Sequence, residues 1–250
     1  TGIAVLPTVG FGGGKPAASA NAVTFLNDLA DRTDAAVRDG HGDATALGRF
    51  HGAPYWKVSY DLFDSYSKRG SQTDRRAEYL SRIDGVRYDT FVDHPMDLDE
   101  MAGHFKPVPL AWSVGKQKVR IDGLDKLPTD TAALRAMLSS GQSAEYEWYD
   151  IEDLLGTAPI NSKLRAALFR VLAQIPGVRL DGTRKDARGR SGTQISIKLS
   201  GTRAWTVLIE PRTATLLANG ATDSANEPLL GTVHETRTYT GAGPAWKLGG

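Results

Sequence analysis

Apolar positions along the chain follow two rhythms, and the switches between them predict the order of elements. From Ser19 onward, Ala22, Phe25/Leu26, Leu29/Ala30, Thr33 and Ala36 recur with a period near 3.6, which predicts an amphipathic helix capped by Ser19. Residues 38–52 are polar and glycine-rich, the composition of a loop. Trp56, Val58, Tyr60 and Leu62 then alternate with Lys57, Ser59 and Asp61, the period-two pattern of a half-buried strand. Residues 76–83 and 86–92 read as two more strands that turn at Asp84-Gly85, a pair suited to a type I′ hairpin. The acidic, proline-containing stretch 93–109 reads as a long excursion, and 111–121 as a returning strand.

The helical rhythm then resumes. In 127–138, Thr129 offers a cap and Leu134, Met137 and Leu138 a buried face. Residues 150–155 make a short helical turn. Residues 161–175 place Leu164, Ala167/Leu168, Val171/Leu172 and Ile175 on one stripe, stopped by Pro176-Gly177. Five strands follow, at 178–183, 192–199, 204–210, 213–221 and 232–240, with Ser200-Gly201 and Pro211-Arg212 marking tight connections. Strands spaced this closely form an antiparallel meander, because parallel neighbours need a long crossover. The expected fold is α+β: one curved antiparallel sheet with helices packed on its concave face. Residues 1–18 read as a linker and 19–250 as one domain.

Composition narrows the chemistry. The chain has 250 residues and no cysteine, which excludes a disulfide scaffold, a thiolate zinc site, an iron–sulfur cluster and a cysteine nucleophile. No stretch approaches the roughly 18–20 apolar residues of a membrane span. The first residues, TGIAVLP, fit either the tail of a hydrophobic anchor removed upstream of Thr1 or a short strand. Gly14-Lys15 does not make a phosphate loop, because Val9 stands where the motif needs glycine and Pro16 where it needs Ser or Thr.

The net charge of +1 hides a polarity: five acids and no base lie in 145–153, whereas 161–212 carries eleven Lys/Arg against three Asp/Glu. That basic excess, with Arg184, Lys185, Arg188 and Arg190 at its centre, serves either to attract lipid head groups or an acidic protein face, or to keep exposed strands soluble.

Catalytic motifs are absent from the sequence. His94 and His104 bracket Asp97, Asp99 and Glu100 without a zinc or calcium spacing, and His41, His51 and His234 stand apart, so no metal site and no cofactor is expected. There is no Gly-x-Ser-x-Gly. Ser65-Tyr66-Ser67-Lys68 matches Ser-x-x-Lys, but Ser224-Ala-Asn226 has no Lys-Thr-Gly after it. Phe169 and Trp205 alone give the basic region too few rings for a nucleic-acid stacking platform, so no nucleic-acid partner is expected. The positive feature is aromatic. Trp56, Tyr60, Phe63, Tyr79, Tyr88, Phe91, Trp112 and Trp148 serve either as ordinary core or as the lining of a groove for an apolar ligand.

Three segments carry a resemblance: PAASANAVTFLNDLA from Pro16, LPTDTAAL from Leu127, and LRAALFRVLAQIPGV from Leu164 with DARGR from Asp186. Together they resemble an actinobacterial family of membrane-anchored extracytoplasmic proteins of unknown function, often encoded beside extracytoplasmic-function sigma factors. That family is distantly similar to the lipoprotein-carrier superfamily of LolA, LppX and RseB. The resemblance implies a LolA-like, half-open β-barrel closed by helices, and no enzymatic activity. It implies a lipid or other amphipathic ligand in an apolar groove or, alternatively, regulation of sigma and anti-sigma factors through an envelope protein partner. It also implies an extracytoplasmic location, membrane-anchored or secreted. It transfers no site residues, and the 93–109 excursion departs from the pattern where it would cover the groove.

Overall fold

A computed structural model describes residues 17–38, 45, 48–64, 72–91, 108–198, 204–222 and 233–248. Its first element, α1 (Ala20–Arg38), starts where the Ser19 hydroxyl accepts the Ala22 N–H at 3.3 Å. Its apolar face (Ala22, Leu26, Leu29, Ala30) is fully buried, and the Ser19 N–H donates to the Val178 carbonyl at 2.8 Å, fastening the helix start to the sheet. Strands β1 (Tyr55–Asp64), β2 (Gln72–Ser81), β3 (Val86–Phe91) and the two-residue β4 (Val108–Pro109) follow.

Next comes a small hairpin, β5 (Trp112–Val114) and β6 (Gln117–Val119), with a 3-10 turn over Ile121–Lys126. Three helices succeed it: α2 (Thr131–Leu138), α3 (Ala144–Gly156) and α4 (Ser162–Leu172). The chain ends in β7 (Val178–Lys185), β8 (Ser191–Lys198), β9 (Ala204–Glu210), β10 (Thr215–Thr222) and β11 (Val233–Ala245).

The large sheet is antiparallel throughout, in the order β4-β3-β2-β1-β11-β10-β9-β8-β7. Two meanders thus meet at β1 and β11, and the sheet stays open, with β4 and β7 as its edges. This is the α+β arrangement expected from the spacing of the strands. Register identifies the helix-facing side: Trp56, Val58 and Tyr60 on β1, Ile195 and Ile197 on β8, Val207 and Ile209 on β9, and Tyr239 on β11 all join one core with α1, α3 and α4. A second, smaller buried cluster, Leu208, Leu217 and Ala218, sits on the other side.

Several boundaries differ from expectation for local reasons. Residues 111–121 do not form one strand, because Gly115 takes a left-handed φ of 62° and folds them into the β5–β6 hairpin. The β2–β3 connection is a four-residue loop, 82–85, in which Gly85 (φ 68°) and not Asp84 is left-handed, so it is not a type I′ turn. The cap of α2 is Asp130, which accepts the Ala133 N–H at 2.9 Å, and not Thr129. The short turn expected at 150–155 is the second half of the 13-residue α3. Its acids masked the apolar stripe of Trp148, Ile151 and Leu155. Residues 1–16 of the linker expected at 1–18, residues 93–107 of the excursion expected at 93–109, the Ser-x-x-Lys segment, and His41, His94 and His104 lie outside the described residues.

Candidate functional site: a polar cavity between the third helix and the sheet

The helix-facing side of the sheet is apolar at β7–β9 but charged toward β2 and β3. Strand pairing explains the change. Trp56, Val58, Tyr60 and Leu62 oppose Leu80, Glu78, Arg76 and Asp74 in turn, and Leu80, Glu78 and Arg76 oppose Arg87, Asp89 and Phe91. An apolar face on β1 therefore continues as charged positions on its neighbours. There Tyr60 donates its hydroxyl to Glu78 Oε1 (2.9 Å), Arg87 pairs with Glu78 Oε2 (3.3 Å), and Arg76 pairs with Asp89 (3.3 Å). Burial and the nearby Glu78 carboxylate push the Tyr60 phenol up and hold the Asp89 carboxyl above the usual carboxylate range.

Helix α3 closes over this region and leaves a cavity of about 430 Å³. Three of its acids line the cavity (Asp150, Glu152, Asp153), together with Arg87 on β3, Trp205 on β9, Asn219 on β10, and Arg237 and Tyr239 on β11. Glu152 lies one helical turn beyond Trp148, so the buried Trp148 indole Nε1–H reaches its Oε2 at 2.9 Å, while Asn219 Nδ2 donates to its Oε1. Full burial raises the Glu152 carboxyl to about 7 against those two hydrogen bonds.

Asp153 is raised by burial, against the Arg87 guanidinium. Its Oδ1 accepts the Thr157 hydroxyl at 2.9 Å, and Thr157 Oγ1 in turn accepts the Trp112 indole N–H at 2.9 Å. Asp150 is raised by burial as well, although its Oδ2 accepts the Gly115 N–H at 2.8 Å. That bond joins the left-handed hairpin turn to α3.

The rim is aromatic. Tyr149 and Trp205 meet edge to face with centroids 4.8 Å apart. Tyr239 meets Tyr60 at 6.2 Å, and Arg237 lies 5.4 Å over the Tyr60 ring. Asn219 is 7% exposed, and its Oδ1 has no hydrogen-bond partner among the described residues.

The eight aromatic candidates are scattered relative to this cavity. Trp56, Trp112 and Trp148 are buried in the core, with Trp56 packed on Phe50 at 6.0 Å and under the Arg49 guanidinium at 4.8 Å. Tyr60 is buried beside Glu78. Tyr79 and Tyr88 lie on the opposite side of the sheet, each edge-on to Tyr55 at 6.4 Å, and half-buried Phe63 shares that side. Phe91 holds the register position opposite Arg76.

The basic candidates lie at the β7–β8 hairpin. Arg188 binds Asp61 (2.9 Å), and Arg190 binds Asp186 (2.6 Å) and the Leu217 and Tyr239 carbonyls. Arg184 reaches the Thr183 carbonyl at 3.1 Å, and Lys185 is exposed.

The residues that shape the cavity were not singled out from the sequence, apart from the five-acid run containing Asp150, Glu152 and Asp153. The other available signal was the charge on one side of β2, Asp74, Arg76 and Glu78, where a strand under a helix would carry an apolar side. No known protein family matches the chain, and no curated protein matches it.

Proposed function

We propose that this is a non-enzymatic, extracytoplasmic ligand-binding domain of LolA-like, half-open-barrel architecture, whose ligand is amphipathic and enters the cavity between α3 and the sheet. One observation carries the reading: a cavity of about 430 Å³ combines a half-buried aromatic pair, Tyr149 and Trp205, with a polar floor of buried Glu152 and Asn219 beside half-buried Arg237. Sites for small ligands pair an apolar wall with a few placed polar groups in this way. An apolar tail covers the rings, and a polar head reaches the floor. The two-meander topology with helices on one side supports the architecture. The reading replaces the apolar groove expected from the aromatic residues with a mixed one, because strand register turns charged side chains inward. No described helix is long and apolar enough to cross a membrane.

The test is titration with ten-carbon amphiphiles, followed by tryptophan fluorescence and calorimetry. Saturable binding that weakens at least tenfold in Trp205→Ala supports the proposal. Absence of binding by every head-group class overturns it. The regulatory alternative, resting on a basic face, draws less support from the geometry, since Asp61 and Asp186 already engage Arg188 and Arg190.

A further inference from the structure

The cavity also carries information about the head group. Three carboxylates, Asp150, Glu152 and Asp153, line it against two guanidiniums, Arg87 and Arg237, and Arg87 is drawn aside by Glu78 at 3.3 Å. Asn219 adds a second and independent sign. Its amide nitrogen is fixed on Glu152, so its Oδ1 is oriented as an acceptor. That oxygen is buried at the cavity wall with no donor among the described residues. A buried acceptor of this kind calls for an N–H or O–H from a ligand.

An anionic head would meet two guanidiniums, one of them already paired with Glu78, against three carboxylates and an unfilled acceptor. A protonated amine would meet partners for its charge and for its hydrogens.

We infer that the ligand of this cavity carries a primary ammonium group, held by Asn219 Oδ1 and the Asp150 and Asp153 carboxylates beside the Tyr149–Trp205 pair. The inference rests on the ligand-binding reading above and specifies its head group. Asp153 is the informative position. Asn at 153 is isosteric, still accepts from Thr157, and removes one charge that burial disfavours.

Isothermal titration of the full chain at pH 7 with decylamine, decanol and decanoate, each below its micelle concentration, separates the outcomes. The expected order places decylamine at least tenfold tighter than decanoate. Asp153→Asn should cost decylamine about tenfold, the scale of one partly desolvated charge contact, and leave decanol unchanged. Asp150→Asn, which can still accept the Gly115 N–H, should act in the same direction and serves as a second variant should the first unfold. Decanoate or decanol binding as tightly as decylamine, or decylamine affinity unchanged in both folded variants, overturns the ammonium assignment while leaving the cavity a ligand site. No binding of any of the three defeats the ligand-binding reading itself.

Discussion

Glu152 offers a perturbation whose size follows from its surroundings. Its carboxyl is fully buried on α3, accepts from Trp148 and Asn219, and has its pKa raised from 4.5 to about 7. A carboxyl raised on folding binds its proton more tightly in the folded chain than in the unfolded one. Its contribution is therefore fully present below the unfolded value and is lost as pH climbs from about 4.5 through about 7. At 1.36 kcal/mol per unit, the loss amounts to about 3 kcal/mol at pH 8.

Glu152→Gln does not titrate. Its side-chain oxygen keeps the Trp148 bond, and half a turn of the Asn219 amide lets Asn219 Oδ1 accept from the new NH₂ group. The variant should therefore gain about 3 kcal/mol over the wild type between pH 4 and pH 8. Asp89, Glu147, Asp150 and Asp153, all raised by burial, titrate in both proteins and cancel to first order. Guanidinium unfolding of both proteins at the two pH values measures the difference. A stability gap that does not change with pH would mean that the Glu152 carboxyl is not raised by its burial.

Two glycines provide further tests. Gly115→Ala places a Cβ at a φ of 62°, against the Met137 carbonyl and 2.6 Å from Ser140 Oγ, and should cost about 3 kcal/mol in denaturant unfolding; a loss below 0.5 kcal/mol would contradict that packing. Gly156→Ala drives a methyl against the Tyr239 hydroxyl, 2.7 Å from its ring carbon and 3.2 Å from Leu216, so it should cost about 2 kcal/mol. It should also weaken amphiphile binding in calorimetry, because Tyr239 lines the cavity.

The elements that were legible from sequence are those marked by a regular apolar spacing or bounded by turn residues. Helix α4 buries Leu164, Ala167, Leu168, Val171 and Leu172, the stripe read from its spacing, and Asn161 caps it by accepting the Leu164 N–H at 2.9 Å. Strand β9 spans the range expected between the turns marked by Ser200-Gly201 and Pro211-Arg212. The candidate site was not legible, because it is made by register between strands distant in sequence. Arg237 on β11 pairs with Leu62 on β1 and with Asn219 on β10, contacts that no local pattern encodes. In α3, charges at Asp150, Glu152 and Asp153 belong to the cavity wall, and judged by polarity alone they resemble a solvated face. Aromatic residues misled for the opposite reason: Trp112 and Trp148 have the composition of a groove lining but fill the core, and their indole N–H groups reach Thr157 and Glu152.

Everything proposed for this protein depends on the space between α3 and the sheet receiving a ligand. The most direct test is a crystal of the chain grown with a bromine-tagged decylamine and measured at the bromine absorption edge. The expected result is one anomalous peak near the Tyr149–Trp205 pair, with the amine density beside Asn219 and Asp153. A fully occupied peak elsewhere on the protein, with the cavity filled only by solvent, would contradict the proposal.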